Sequence, residues 1–348
     1  DGVYKDNKEI LFNKISLKEN NNLILVKNLN LNKKLEISKI DLIDINLVNK
    51  EKIKNQLKLQ RQKKNYKISG KNFYIKDIID QINNNDNLSK SIFDNLNTII
   101  DINISTIYLD PKNFVNNFSG NIIYKKNKIY KSDLVSTFPN NKKLNLTINT
   151  NENNEKIITI YSENPKPLLS SYKFIKGFEE GILDFYSVKR NNVSESVLKI
   201  SDFKIQEVPV LAKLLTLASL QGIADLLTGE GIRFDDFELK FTSKDKLMRI
   251  DELYAIGPAI SIMMEGYIEK NNLISLKGTL VPATTINRTI ASIPLLGNIL
   301  VGKKVGEGVF GVSFKIKGPK DKLKTTVNPI KTLTPRFITR TLEKLKKN

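Results

Sequence analysis

Several segments of this chain have the spacing of phosphate loops or nucleophile motifs. Gly306, Gly308 and Gly311 spell G-x-G-x-x-G, the pattern in which backbone N–H groups cradle a nucleotide phosphate. Gly297 to Lys304, GNILVGKK, falls one residue short of a P-loop, and Ser170-Ser-Tyr-Lys173 and Ser201-Asp-Phe-Lys204 both fit the S-x-x-K of serine acyl transfer. Context removes each of them. A dinucleotide fingerprint must open a helix, whereas Gly311 leads into an alternating strand. Lys304 stands where the P-loop needs a magnesium-binding Ser or Thr, and apolar helix rather than strand precedes it. Neither S-D-N nor K-T-G accompanies the S-x-x-K pairs, and Asp235-Asp236 reads as a turn flanked by strand rather than a metal pair.

Composition narrows the chemistry further. The 348 residues include no Cys, His or Trp, which removes disulfides, thiolate and imidazole metal sites, and every His-assisted nucleophile. No enzyme activity, cofactor or metal is expected. The net charge of +19 and pI near 9.6 would suit nucleic acid, anionic lipid or neither. Lysine supplies most of the cations, and Asn and Ile are also heavily used, as AT-rich coding would produce. Stacking on single-stranded nucleic acid needs aromatics and cations on one surface. Here Phe237, Phe241, Phe310 and Phe314 fall on apolar faces with lysines opposite, so nucleic acid is not an expected partner.

These residues are carried by a chain that reads as mainly β. Leu23, Leu25, Leu29 and Leu31 alternate with polar residues, as do Leu35, Ile37, Ile43, Ile45 and Leu47, then Ile100, Ile102 and Ile104. Further strands are expected over 66–75, 120–130, 144–148, 157–161, 181–188 and 197–205. Residues 76–97 carry helical spacing and suggest a short helical hairpin. A one-sided sheet must bury its apolar face by curling on itself, by packing a second sheet or by holding lipid. On periodicity alone, a sandwich or solenoid filled by side chains carries more weight.

The C-terminal part, 207–348, contains three helical stretches between resumed strands: 210–228, 284–301 with a break at Pro294 and Gly297, and 335–346. The first carries an apolar stripe of Leu211, Leu214, Leu215, Ala218, Leu226 and Leu227. The second carries Ile290, Ile293, Leu295, Leu296, Ile299 and Leu300. Thr334 caps the third, which begins at Pro335, places Phe337 and Ile338 on its apolar side, and carries Arg336, Arg340 and Lys344 on the other. The longest apolar runs, 214–224 and 290–302, fall short of the roughly 20 residues of a membrane-spanning helix. The chain starts at Asp1 and reads as a processed product or fragment, with any anchor upstream.

In order and spacing, SENPKPLLSSYKFIKGFEEGILDFY, SDFKIQEVPVLAKLLTLASLQGIADLLTGEGIRFDDFELKF, AIGPAISIMMEGYI, LKGTLVPATTINRTIASIPLLGNILVG, GVFGVSFKIKGP and TVNPIKTLTPRFITRTLE resemble the C-terminal region of the AsmA-like, YhdP-type bacterial envelope proteins. The resemblance covers about 157–343. Asn164-Pro165 replaces an acidic turn, and Arg336 replaces a Gly after the Pro. It implies one long twisted antiparallel sheet curled into a repeating β-groove, with 1–206 as the groove segment and 207–348 as its helix-bearing end. It also implies a periplasmic protein anchored in the inner membrane by an upstream helix, moving phospholipid between bacterial membranes without catalysis. The stripes named above would contact lipid or membrane, or plug the groove, or cap the terminal core; Arg336, Arg340 and Lys344 would meet anionic headgroups. The alternative is a scaffold for envelope or outer-membrane protein assembly whose groove is filled by side chains.

Overall fold

Alternation of apolar and polar residues at period two builds one strand after another. The computed structural model describes residues 2–5, 9–76, 97–125, 128–169, 176–206, 208–217, 225, 229–269, 273–282, 311–319 and 322–330. The chain divides into two units, Asp1–Pro167 and Leu168–Asn348, each an open curled sheet.

Unit 1 holds β1 (Gly2–Lys5), β2 (Glu9–Glu19), β3 (Asn22–Leu31), β4 (Ile37–Lys39), β5 (Leu42–Val48), β6 (Lys54–Gln62), β7 (Asn65–Tyr74), β8 (Thr98–Tyr108), β9 (Phe114–Lys125), β10 (Lys128–Thr137), β11 (Lys143–Thr150) and β12 (Lys156–Ser162). Neighbours in sequence pair antiparallel, with the short β4 sharing β3 with β5. The exception is β7 with β8, which run parallel. A parallel pair requires a connection long enough to return along a strand. Residues 75–97 make that return, and the helical hairpin expected there lies outside the described residues apart from its ends.

The registers line up one apolar row across the unit: Val26, Ile43, Leu59, Ile68, Ile102, Gly120, Leu134, Leu146 and Ile160. The reverse face carries Asp44, Lys58, Ser69, Asn103 and Ser119. On the apolar side the curl brings side chains together, and Ile100, Ile107, Val115 and Phe138 are each at most 2 % exposed. Much of unit 1's apolar face is therefore a side-chain core.

Asparagine does much of the turning. Asn20, Asn141, Asn154 and Asn191 adopt positive φ at hairpin ends, where their short polar side chains tolerate the left-handed region. The Asn32 and Asn151 carboxamides accept the backbone N–H groups of Glu36 and Glu155 and donate to their carboxylates. Inside strands, Asn28, Asn117, Glu180 and Asp202 are also left-handed, and at Asn117 the register of β9 with β10 shifts, a bulge of the kind that increases coiling. Gly120 (φ 143°) and Gly266 (φ 148°) sit within apolar rows, where an added Cβ would lie 1.9 Å from the Asp133 carbonyl oxygen and 2.1 Å from that of Ser275. Only glycine allows the neighbouring strand so close at those bends.

Unit 2 holds β13 (Lys176–Arg190), β14 (Val193–Gln206), β15 (Ile232–Lys244), β16 (Leu247–Ile256), β17 (Ile260–Glu269), β18 (Leu273–Pro282), β19 (Gly311–Pro319) and β20 (Lys324–Ile330), antiparallel in chain order. A single helical turn, α1 (Lys166–Leu169), precedes it, and α2 (Pro209–Leu217) follows β14. In α2, Leu211, Leu214 and Leu215 at i, i+3 and i+4 are buried while Lys213 and Thr216 are exposed. The helix lies against β20. Nine residues of helix are about 14 Å long. Six strand spacings of a flat sheet, from β14 to β20, are about 29 Å. Curling of unit 2 brings β20 within reach.

One expectation needs correcting. The expected strand over 120–130 is two strands, because β9 ends at Lys125 and β10 begins at Lys128 opposite it; alternation runs straight through so short a turn. The two units meet at 167/168, and β14, which ends at Gln206, pairs along its length with both β13 and β15. The excursion over 207–230 is an insertion into one sheet.

Candidate functional site

The feature of unit 2 that suits a ligand is the apolar face of its sheet. Register places Leu183, Ile200, Phe237, Ala255, Ile262, Leu280 and Val312 in a first row. A second row runs Phe185, Leu198, Leu239, Leu253, Met264, Gly278, Phe314 and Val327. The third runs Ser187, Ser196, Phe241, Ile250, Gly266, Leu276, Ile316 and Thr325. In the first row Leu183, Ile200, Ala255, Leu280 and Val312 are buried. In the second, Phe185, Leu198, Leu239, Leu253 and Met264 are only half-buried. The face therefore presents contiguous apolar side chains with surface still to cover; in the apolar row of unit 1, Val26, Ile43, Ile68, Leu146 and Ile160 are likewise half-buried.

One end of this face is closed by aromatics. Phe178 stacks on Phe203 at 5.2 Å, Phe203 stacks on Phe234 at 5.5 Å, and Phe237 meets Phe203 edge-on at 6.3 Å. The left-handed Asp202 and Glu180 shift the alternation here, so that Phe203 joins the face that carries Phe237. The insertion bearing α2 leaves and re-enters at this end, and the Gln206 side-chain amide donates to the carbonyls of Gly229 and Glu230 across its base.

The reverse face carries ion pairs among Tyr186, Val197, Tyr254 and Met263. Lys240 bridges Glu238 at 2.8 Å and Glu252 at 3.7 Å, Lys199 reaches Glu238 at 3.5 Å, and Lys277 pairs with Glu265 at 3.0 Å. The exposed pair of Lys277 with Glu265 adds little stability, whereas Glu252 is buried and Lys240 reaches it from the surface. A cavity of about 410 Å³ involves residues of that side, among them Glu265, Lys277, Lys315 and Asn328. Among the described residues no group of three or more Asp or Glu is placed to hold a metal ion.

Tyr66 and Glu163 in unit 1 are perturbed, each by its own surroundings. Burial pushes the Tyr66 phenol up, against a backbone hydrogen bond with Ile40 and the nearby Arg61 charge. The Lys143 N–H, donating at 2.7 Å, holds the Glu163 carboxyl below its ordinary range, helped by the Tyr161 hydroxyl at 3.2 Å.

Of the residues anticipated for lipid or membrane contact, Leu211, Leu214 and Leu215 are 7 %, 4 % and 0 % exposed and face inward from α2, while Leu217 on its other side is 45 % exposed. Ala218, Leu226, Leu227, Ile290, Ile293, Leu295, Leu296, Ile299, Leu300, Phe337 and Ile338 lie outside the described residues, as do Arg336, Arg340 and Lys344. The half-buried row from Phe185 to Met264 was not singled out from sequence. Its signal was present in the alternation of each strand, but only register joins the five positions. Comparison with protein-family models, curated proteins and solved structures finds no match.

Proposed function

We propose that this chain is a non-enzymatic carrier of phospholipid between membranes of a bacterial envelope, with acyl chains lying on the apolar face of its sheet. The observation that carries the reading is the half-buried row Phe185, Leu198, Leu239, Leu253 and Met264, apolar and uncharged across five adjacent strands, with the ion pairs of Lys199, Lys240 and Glu238 on the reverse face. Each methylene removed from water contributes about 0.8 kcal/mol, so a sixteen-carbon tail even half covered gains on the order of 6 kcal/mol. A row without buried charge offers no single position that would hold a tail against sliding. The same reading assigns the protein to the periplasm, tethered to the inner membrane by a segment upstream of Asp1, and assigns bacterial membranes as its partners.

Native mass spectrometry of the gently purified full chain tests this directly. Bound phospholipid is expected, and photocrosslinkers at positions 198 and 239 are expected to capture it; repeated preparations free of lipid would refute the reading. The scaffold alternative draws support from unit 1, where Ile100, Ile107, Val115 and Phe138 already fill the curl. That reading expects no lipid in either unit.

A further inference from the structure

Beyond the third apolar row of unit 2 the same face changes character on only some of its strands. The next row runs Lys189, Ser194, Ser243, Met248, Ile268, Ile274 and Gly318. It is apolar on β16 to β18 and polar on β13 to β15. The Ser187 and Ser196 hydroxyls of the row before satisfy each other at 2.9 Å and are buried. The Ser194 and Ser243 hydroxyls have no partner among the described residues, and neither does the exposed Lys189 ammonium. Its neighbour Arg190, by contrast, pairs with Glu195 at 2.9 Å.

We propose that Lys189, Ser194 and Ser243 receive the phosphate of an acyl lipid whose tail lies along β13 to β15 toward Leu183, Ile200 and Phe237. This assignment rests on the lipid-carrier reading and deepens it. The lengths agree. From Leu183 to Lys189 is six residues of strand, about 20 Å. A bilayer's hydrocarbon core of about 30 Å is two tails deep, so one tail needs about 15 Å. With its head at Lys189, on the only cation of these four rows, such a tail runs past Phe185 toward Leu183 and ends short of the aromatic stack, which lies at the level of Glu180. An ammonium and two hydroxyls offer a phosphate one charge-assisted and two neutral hydrogen bonds, whereas the ladder of Ser187 and Ser196 has none to give.

The test uses the full chain and two fluorescent probes with identical tails, phosphatidic acid and the uncharged diacylglycerol, each titrated below its aggregation concentration. Lys189→Gln is expected to weaken phosphatidic acid about five-fold and leave diacylglycerol within two-fold, while Lys189→Arg restores most of the loss. Leu198→Asp is expected to weaken both. Millimolar inorganic phosphate is expected not to compete. If Leu198→Asp weakens both lipids and Lys189→Gln changes neither, the headgroup site is wrong and the carrier reading stands. If neither lipid binds the wild-type chain, both fall. Competition by inorganic phosphate at the level of the lipid would make this a free-phosphate site and overturn the assignment to lipid.

Discussion

Replacing Leu239 with Asp puts the apolar face to its hardest test. Leu239 lies between Leu198 and Leu253 across the sheet, with Phe237 and Phe241 on the same face of its own strand. A tail resting on an open face is covered on one side, so each methylene gains about half of the 0.8 kcal/mol of full burial. A carboxylate at 239 keeps its water and displaces the three or four methylenes nearest to it, a loss of about 1.5 kcal/mol. Partial desolvation of the charge raises the total to about 2–3 kcal/mol. Lipid affinity is therefore expected to fall about 30- to 150-fold. The matched control is Lys240→Gln, one residue along and on the ion-paired face, where binding is expected to stay within two-fold. The chain has no Trp, so its own fluorescence does not obscure a labelled lipid, and anisotropy titration of the full chain reads both variants. Urea unfolding runs in parallel. Leu239 is half-buried, and Leu239→Asp is expected to cost about 1–2 kcal/mol while leaving the fold intact. Lipid binding by a folded Leu239→Asp chain at wild-type strength would refute the reasoning, as would equal weakening by both variants.

Two further outcomes probe the fold. Leu215, fully buried beneath α2, is expected to lose about 2–5 kcal/mol of stability as Leu215→Ala, against less than about 0.5 kcal/mol for Leu217→Ala on the exposed side; equal urea midpoints would mean that α2 buries a different stripe. Burial raises the folded-state pKa of Tyr66 above its ordinary 10.0, so the unfolded chain releases that proton first and stability falls as pH climbs above about 10. Tyr66→Phe is expected to lose that part of the alkaline decline, measured as urea midpoints between about pH 8 and 11, and an unchanged decline would show that the phenol is not the group responsible.

Period-two alternation made the β character legible, because which side of a strand is apolar depends only on neighbouring residues. It did not reveal where a strand stops when the turn is as polar as the strand, which is why Gly120 to Tyr130 read as one element. Nor did it reveal that β7 and β8 are parallel, since strand direction is set by the path of the connection rather than by composition. The stripe of Leu211, Leu214 and Leu215 was visible as helical spacing, yet spacing is the same for a stripe that faces membrane and one that faces a sheet. Contact with β20, six strands away in the ladder, decides that these leucines point inward.

By itself the sequence determined what this protein lacks and what it is built from. These 348 residues offer no thiol and no imidazole, and alternating apolar residues commit the chain to one-sided strands. Tertiary structure alone decided which apolar residues are already satisfied. Ile100 and Phe138 lie in a closed core and Leu198 and Leu239 on a face with room to spare, although all four are apolar members of strands or their ends. The difference lies in curvature, set by glycines, bulges and register. Curvature depends on residues far apart in the chain coming side by side, so no local pattern encodes it.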